Sequence, residues 1–259
     1  MRALFAIRAA RAFLVLVPGC GLPSFASAIS FDAVVLVNAG DVIDFAVGFG
    51  NGSFNNDTTG LAATITLGGI ESDVALDFSP TNNPNGVWQY GWSDTLSSPF
   101  VLSTHPAVRD GIDTWRGDLA PDGNPGEYHN GTTSVIVLGD TSPMEPGQFA
   151  LHPGPGGEYA IVRYVAPQAG EAFIASAFAG LDLFGTTTDV HVLLNGTSIF
   201  DGVVGNVPEP RTLLLLTGGT LALGCFVRRR CWRRKKGGTG ALRESAGAGR
   251  YDLSEARRP

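Results

Sequence analysis

Four aromatic residues offer the most legible chemistry in this chain: Trp88, Tyr90 and Trp92, spaced by two, and Trp115 farther on. In a strand, a spacing of two places the first three on one face. There they could form a platform on which sugar rings stack, with Asn85, Gln89 and Asp94 near enough to hydrogen-bond hydroxyls. The same pattern suits the interior of a sheet protein, whose buried strands need large side chains, and the residues alone leave both readings open. Trp115, between Asp113 and Arg116 in loop-like surroundings, is the one expected to be exposed.

Other constellations are weaker. The histidines His105, His129, His152 and His191 show no H-x-H or H-x-x-x-H spacing that would set two imidazoles on one metal. Asp189 and His191 share a strand face, but no third ligand presents itself, so satisfied strand and loop histidines are the expectation. Asp110, Asp113, Asp118 and Asp122 offer hard oxygens for Ca²⁺, at spacings that match no EF-hand loop. There is no G-x-S-x-G, and none of the three cysteines (Cys20, Cys225 and Cys231) lies between 29 and 206. Paired carboxylates for glycoside hydrolysis could come from any two of many, and nothing selects a pair. A noncatalytic domain is expected, with an extracellular hydrolase as a second alternative. No cofactor is required, and calcium is the one ion the acidic loops would suit.

The elements that must position these side chains are short. β-type runs at 31–37, 42–49, 61–67, 73–78, 87–92, 133–138, 148–152, 159–166, 172–178, 189–194 and 198–204 are separated by Gly, Asn, Asp or Pro, and no stretch among them sustains a helical period. Strands at this spacing without intervening helices predict an all-β fold, an antiparallel β-sandwich or jelly roll over 29–206. Asn195-Gly196 is the strongest turn signal, because both residues accept the positive φ of a type I′ hairpin. The segments 81–84 and 119–131, rich in Asn, Pro, Asp and Gly, read as long surface loops.

Charge divides the chain sharply: residues 1–28 carry +3, residues 29–207 carry −17 with no lysine, and residues 208–259 carry +8. A central region of that sign repels phosphate backbones, which excludes nucleic acid and favours neutral glycans or calcium as partners. Residues 1–28 read as a signal peptide: a basic stretch to Arg11, an apolar run at 12–17, then Pro18, Gly19, Pro23 and an Ala26-Ser27-Ala28 cleavage site. Near the other end, Val207-Pro208-Glu209-Pro210 precedes an apolar run at 212–227 and the cluster Arg228, Arg229, Arg230. As a helix the run would reach ~24 Å, somewhat short of a ~30 Å hydrocarbon core, so the flanking arginines would have to snorkel. Positive charge directly after it stays on the cytoplasmic side and leaves the preceding domain outside.

The order Pro-Glu-Pro, short apolar helix, arginine cluster resembles the PEP-CTERM sorting signal, over about residues 207–230. The resemblance implies recognition and processing by an exosortase, a transient inner-membrane anchor, and an exported protein of the cell surface or extracellular matrix of an exopolysaccharide-producing bacterium. A polysaccharide-binding module on the same route, using Trp88, Tyr90, Trp92 and Trp115, is the alternative. Members of that family usually stop within a few residues of the arginines, whereas here a Gly-, Ala- and Arg-rich tail, expected to be disordered, runs over 231–259.

Overall fold

The computed structural model describes residues 28–50 and 52–205. The expected signal peptide up to residue 27, the residues Val207 to Pro210, the apolar run 212–227, Arg228 to Arg230 and the tail 231–259 lie outside the described residues.

Within them the chain is all-β, without a helix, and every strand pairing is antiparallel. One sheet runs in the order β1 (Ile29–Val37), β14 (Gly170–Gly180), β3 (Thr59–Leu67), β12 (Phe149–His152), β9 (Gly126–His129), β8 (Ile112–Arg116), β7 (His105–Arg109), with β4 (Ile70–Asp73) beside β3. The second runs β16 (Thr197–Gly205), β15 (Thr187–Leu194), β2 (Val42–Val47), β13 (Tyr159–Val165), β5 (Trp88–Ser93), β6 (Val101–Leu102). A separate ribbon pairs β10 (Ile136–Leu138) with β11 (Ser142–Met144).

Alternation builds the core. Leu61, Ala63, Ile65 and Leu67 of β3 and Ile174 and Phe178 of β14 share one buried cluster with Phe45 and Val47 of β2, Val162 and Tyr164 of β13 and Val190 and Val192 of β15. One cluster fed by alternate residues of both sheets is what two sheets packed face to face produce, so the arrangement is consistent with a β-sandwich. Asn195 and Gly196 form the expected hairpin turn between β15 and β16, at φ of 51° and 75°, both positive as type I′ requires.

Two expectations are corrected. The run at 73–78 is not a strand: β4 ends at Asp73, whose Oδ1 accepts hydrogen bonds from the backbone N–H groups of Ala75 (2.8 Å) and Leu76 (3.0 Å) and winds 74–77 into turns. The segment 119–131 is not all surface loop, because β9 lies inside it between β12 and β8. The strands β6, β7, β8, β9 and β11 are short or rich in polar residues and give little periodic signal. Pro106 sits in β7, the last strand of its sheet, where a missing N–H costs no ladder bond.

Candidate functional site

The aromatic residues singled out in the sequence do not form an exposed platform. Trp88 and Tyr90 share a face as their spacing requires, but that face turns inward and both are fully buried, with the Trp88 indole edge-on to Tyr164. Trp88 Nε1 donates to Asp77 Oδ2 at 3.2 Å. Trp115 is not in a loop but in β8, buried, its Nε1 donating to the Ser79 carbonyl at 2.8 Å. Trp92, at the far end of the same face of β5, is half-buried. Trp88, Tyr90 and Trp115 are core, and losing one of them would cost ~3 to 5 kcal/mol of stability.

The acidic loops also resolve differently from a calcium site. Asp118 pairs with Arg116 (2.8 Å) and His105 (2.6 Å), while Asp122 faces Arg109 at 3.5 Å. Among the described residues no group of three or more His, Cys, Asp or Glu side chains is placed to hold a metal ion. Each of the three arginines in the described residues lies against a carboxylate, Arg163 most tightly, with Asp44 at 2.7 and 2.9 Å.

His191 has a more definite place. Its Nε2 lies 2.9 Å from Asp189 Oδ2 and its Nδ1 2.6 Å from Asp201 Oδ1, while Tyr159 donates to Asp189 Oδ2 at 2.8 Å and the Gly50 N–H to Asp189 Oδ1 at 2.8 Å. Burial pulls the imidazole pKa down, but the two carboxylates outweigh it and the net direction is up. Burial likewise opposes the charge on Asp189, yet its hydrogen bonds from His191, Tyr159 and Gly50 hold the carboxyl down at about 2. The cluster is an ionic clamp from β15 to β16, β13 and the turn after β2.

Among the described residues, two hollows stand out as candidates for a ligand. The larger, of about 290 Å³, lies over the outer face of β2, β13 and β15 and is lined by Leu96, Phe100, Ile161, Leu193 and the Asp44–Arg163 pair. Arg163 is spent there: it is bidentate to Asp44 and stacks 4.2 Å over the Phe100 ring, so the hollow's charged groups satisfy one another.

The other, of about 160 Å³, is the better candidate. Six segments converge on it. The loop after β2 contributes Phe54, Asn55 and Asn56; β7 ends in Arg109; the loop before β9 brings Asp122; the β10–β11 turn brings Thr141 and Ser142; β12 ends in His152; and Asp182 follows β14. Asp182 is the keystone, accepting from Thr141 Oγ1 (2.6 Å), Ser142 Oγ (2.7 Å) and the Thr58 N–H (2.7 Å). Asp57 beside it is fully buried, with Oδ1 accepting from the Thr187 N–H at 3.2 Å and Oδ2 unpartnered. Burial, with the charges of Asp182 and Asp189 adding to it, pushes the Asp57 carboxyl up to about 7. His152 is 8% exposed. Its Nδ1 donates to the Pro153 carbonyl at 2.9 Å, which leaves the lone pair on Nε2, and burial lowers its pKa so that the ring stays neutral.

Sequence reasoning passed over this group. It set His152 aside as a strand histidine and did not single out Phe54, Arg109 or Asp182 at all. The available signals were a lone aromatic in an Asn- and Gly-rich turn and one of only three cations in an acidic region. Comparison with family models, with curated proteins and with solved structures found no match for this chain.

Proposed function

We propose that this chain is an exported, exosortase-sorted protein of the cell envelope or extracellular matrix, whose domain is a noncatalytic β-sandwich of the jelly-roll kind. The observation that carries the reading is the succession Val207-Pro208-Glu209-Pro210, apolar 212–227, Arg228-Arg229-Arg230, following a basic and apolar segment of signal-peptide type at 1–28. The charge of −17 over residues 29–207 suits a surface in contact with neutral exopolysaccharide rather than with anionic polymer. The engaged groups of the cleft favour a noncatalytic domain. Ser142 donates its hydroxyl proton to Asp182 and not to His152, so hydroxyl and imidazole are not paired as nucleophile and base.

Changing Pro208, Glu209 and Pro210 together to alanine tests the sorting reading. Translocation should proceed unchanged while the protein accumulates in the inner membrane, because the exosortase loses its recognition residues. Cell fractionation that finds the triple variant released to the surface like the parent would refute it.

A further inference from the structure

The cleft formed by Phe54, Arg109, Asp122, His152 and Asp182 holds groups that the fold does not use up. Asp182 accepts from three protein donors and is structural. His152 is different: more than nine-tenths buried, it lines the cleft and spends Nδ1 on Pro153, and its Nε2 lone pair takes no protein donor. Arg109 lies near the mouth, its side chain 30% exposed, 3.5 Å from Asp122 Oδ2 and 3.8 Å from Asp110 Oδ2. Asp122, 36% exposed, receives the Asn124 side-chain amide at 2.9 Å and keeps acceptor capacity to spare. Asn55 and Asn56 add amides, and the half-buried Phe54 ring, edge-on to His152 at 6.1 Å, adds an apolar surface. The space exceeds what a single water needs roughly tenfold.

The chemistry selects among ligand classes. An anion would meet one cation, Arg109, already set against two carboxylates in a region of charge −17. A metal cation would find Asp182 already holding three donors and, among the described residues, no group of three ligating side chains. A neutral apolar molecule would strand the His152 lone pair and the Asp122 carboxylate. A neutral polyhydroxyl ring suits all of them: hydroxyls donate to His152 Nε2 and Asp122, Arg109 and the asparagine amides donate to ring or hydroxyl oxygens, and the C–H face lies on Phe54. Beside the cleft, the Leu183 N–H donates to the Thr141 carbonyl at 2.9 Å, and Leu183 and Phe184 are 62% and 76% exposed, a large apolar surface on the segment that carries Asp182.

We propose that this cleft binds one neutral sugar residue of a polysaccharide, with His152 Nε2 as a buried hydroxyl acceptor. The site stands apart from the sorting reading, since binding is measured on purified protein whatever its destination.

The test is saturation-transfer NMR on the full chain in a mild detergent. The probes are glucose, galactose, mannose, rhamnose and N-acetylglucosamine, with glucuronate and CaCl₂ as charged comparisons. One or more neutral sugars should receive saturation, and Phe54→Ala, a loop change that leaves the melting curve in place, should weaken binding about tenfold. His152→Leu should abolish it. Should His152→Leu fail to fold, the parent at falling pH serves instead, because a protonated Nε2 donates and no longer accepts, and affinity should drop below the ordinary histidine range. Trp92→Ala, in the other sheet, should leave binding within about twofold. Absence of transfer to all five neutral sugars, undiminished binding in Phe54→Ala, or preference for glucuronate or calcium would overturn the proposal.

Discussion

Gly196→Val isolates backbone strain from packing. Gly196 stands at φ 75° with no atom within 4 Å of where a Cβ would sit, so the substitution meets no neighbour and acts through the backbone alone. The turn has little freedom to adopt another type. Asn195 donates its backbone N–H to the Val42 carbonyl at 2.9 Å and accepts the Val42 N–H on Oδ1 at 2.9 Å, so relaxing it would break a double link to β2. Holding a β-branched residue in the left-handed region costs ~1 to 3 kcal/mol, of which the reduced freedom of the unfolded chain returns ~0.4 to 1. The net loss is about 1 to 2 kcal/mol, which for a domain of this size lowers the melting temperature by roughly 2 to 8 °C. Urea unfolding with an unchanged m-value measures it. Gly131 is the control: its φ lies outside the positive region and an added Cβ would meet atoms no closer than 3.6 Å, so Gly131→Ala should stay within ~0.5 kcal/mol while Gly196→Ala loses ~1. Equal losses at the two glycines would refute the reasoning.

The His191 clamp should make stability depend on pH in a defined window. His191, its pKa raised by Asp189 and Asp201 against burial, contributes fully below its ordinary 6.5 and loses its contribution as pH rises through the raised value; Asp189, held at about 2, contributes above 3.8 and loses it as pH falls toward 2. Replacing His191 by Asn should therefore cost most, ~1 to 2 kcal/mol, between about pH 4 and 6.5, and urea unfolding that finds a pH-independent difference would contradict the clamp. Glu127 is fully buried between Trp115 and Leu151 in register, with Ser103 Oγ 3.2 Å from Oε2 and Oε1 unpartnered. Burial raises its pKa well above the ordinary value despite the Ser103 bond, so the charged form is the destabilised one and stability falls as pH rises past about 4.5. Glu127→Gln should remove that slope and stabilise the protein by ~1 to 3 kcal/mol at pH 8; a loss of stability there would show that the carboxylate has an ionic partner.

Local chemistry was legible in the sequence because local chemistry caused it. Alternating apolar residues at 61–67 and 172–178 cannot bury one face except as strands, and Asn195-Gly196 turns where it does because both residues tolerate positive φ. The division of charge and the Pro-Glu-Pro motif are likewise properties of the string itself. What the string could not decide is which face of a strand looks inward. Trp88, Tyr90 and Trp92 share a face whether that face meets water or another sheet, and only the packing of β5 beside β13, opposite the first sheet, turned Trp88 and Tyr90 to the core. The short strands β7, β8 and β9 exist because neighbours distant in the chain complete their ladders, as β12 does for β9, and a segment as polar as 119–131 carries no periodic trace of that pairing. The cleft is the extreme case: Phe54, Arg109, Asp122, His152 and Asp182 are spread over 129 positions of sequence and meet only because β3, β12 and β14 are adjacent in the sheet. Pairing between distant strands is set by the closure of the whole core, so a site built from strand ends and loops appears only once the sheets are assembled.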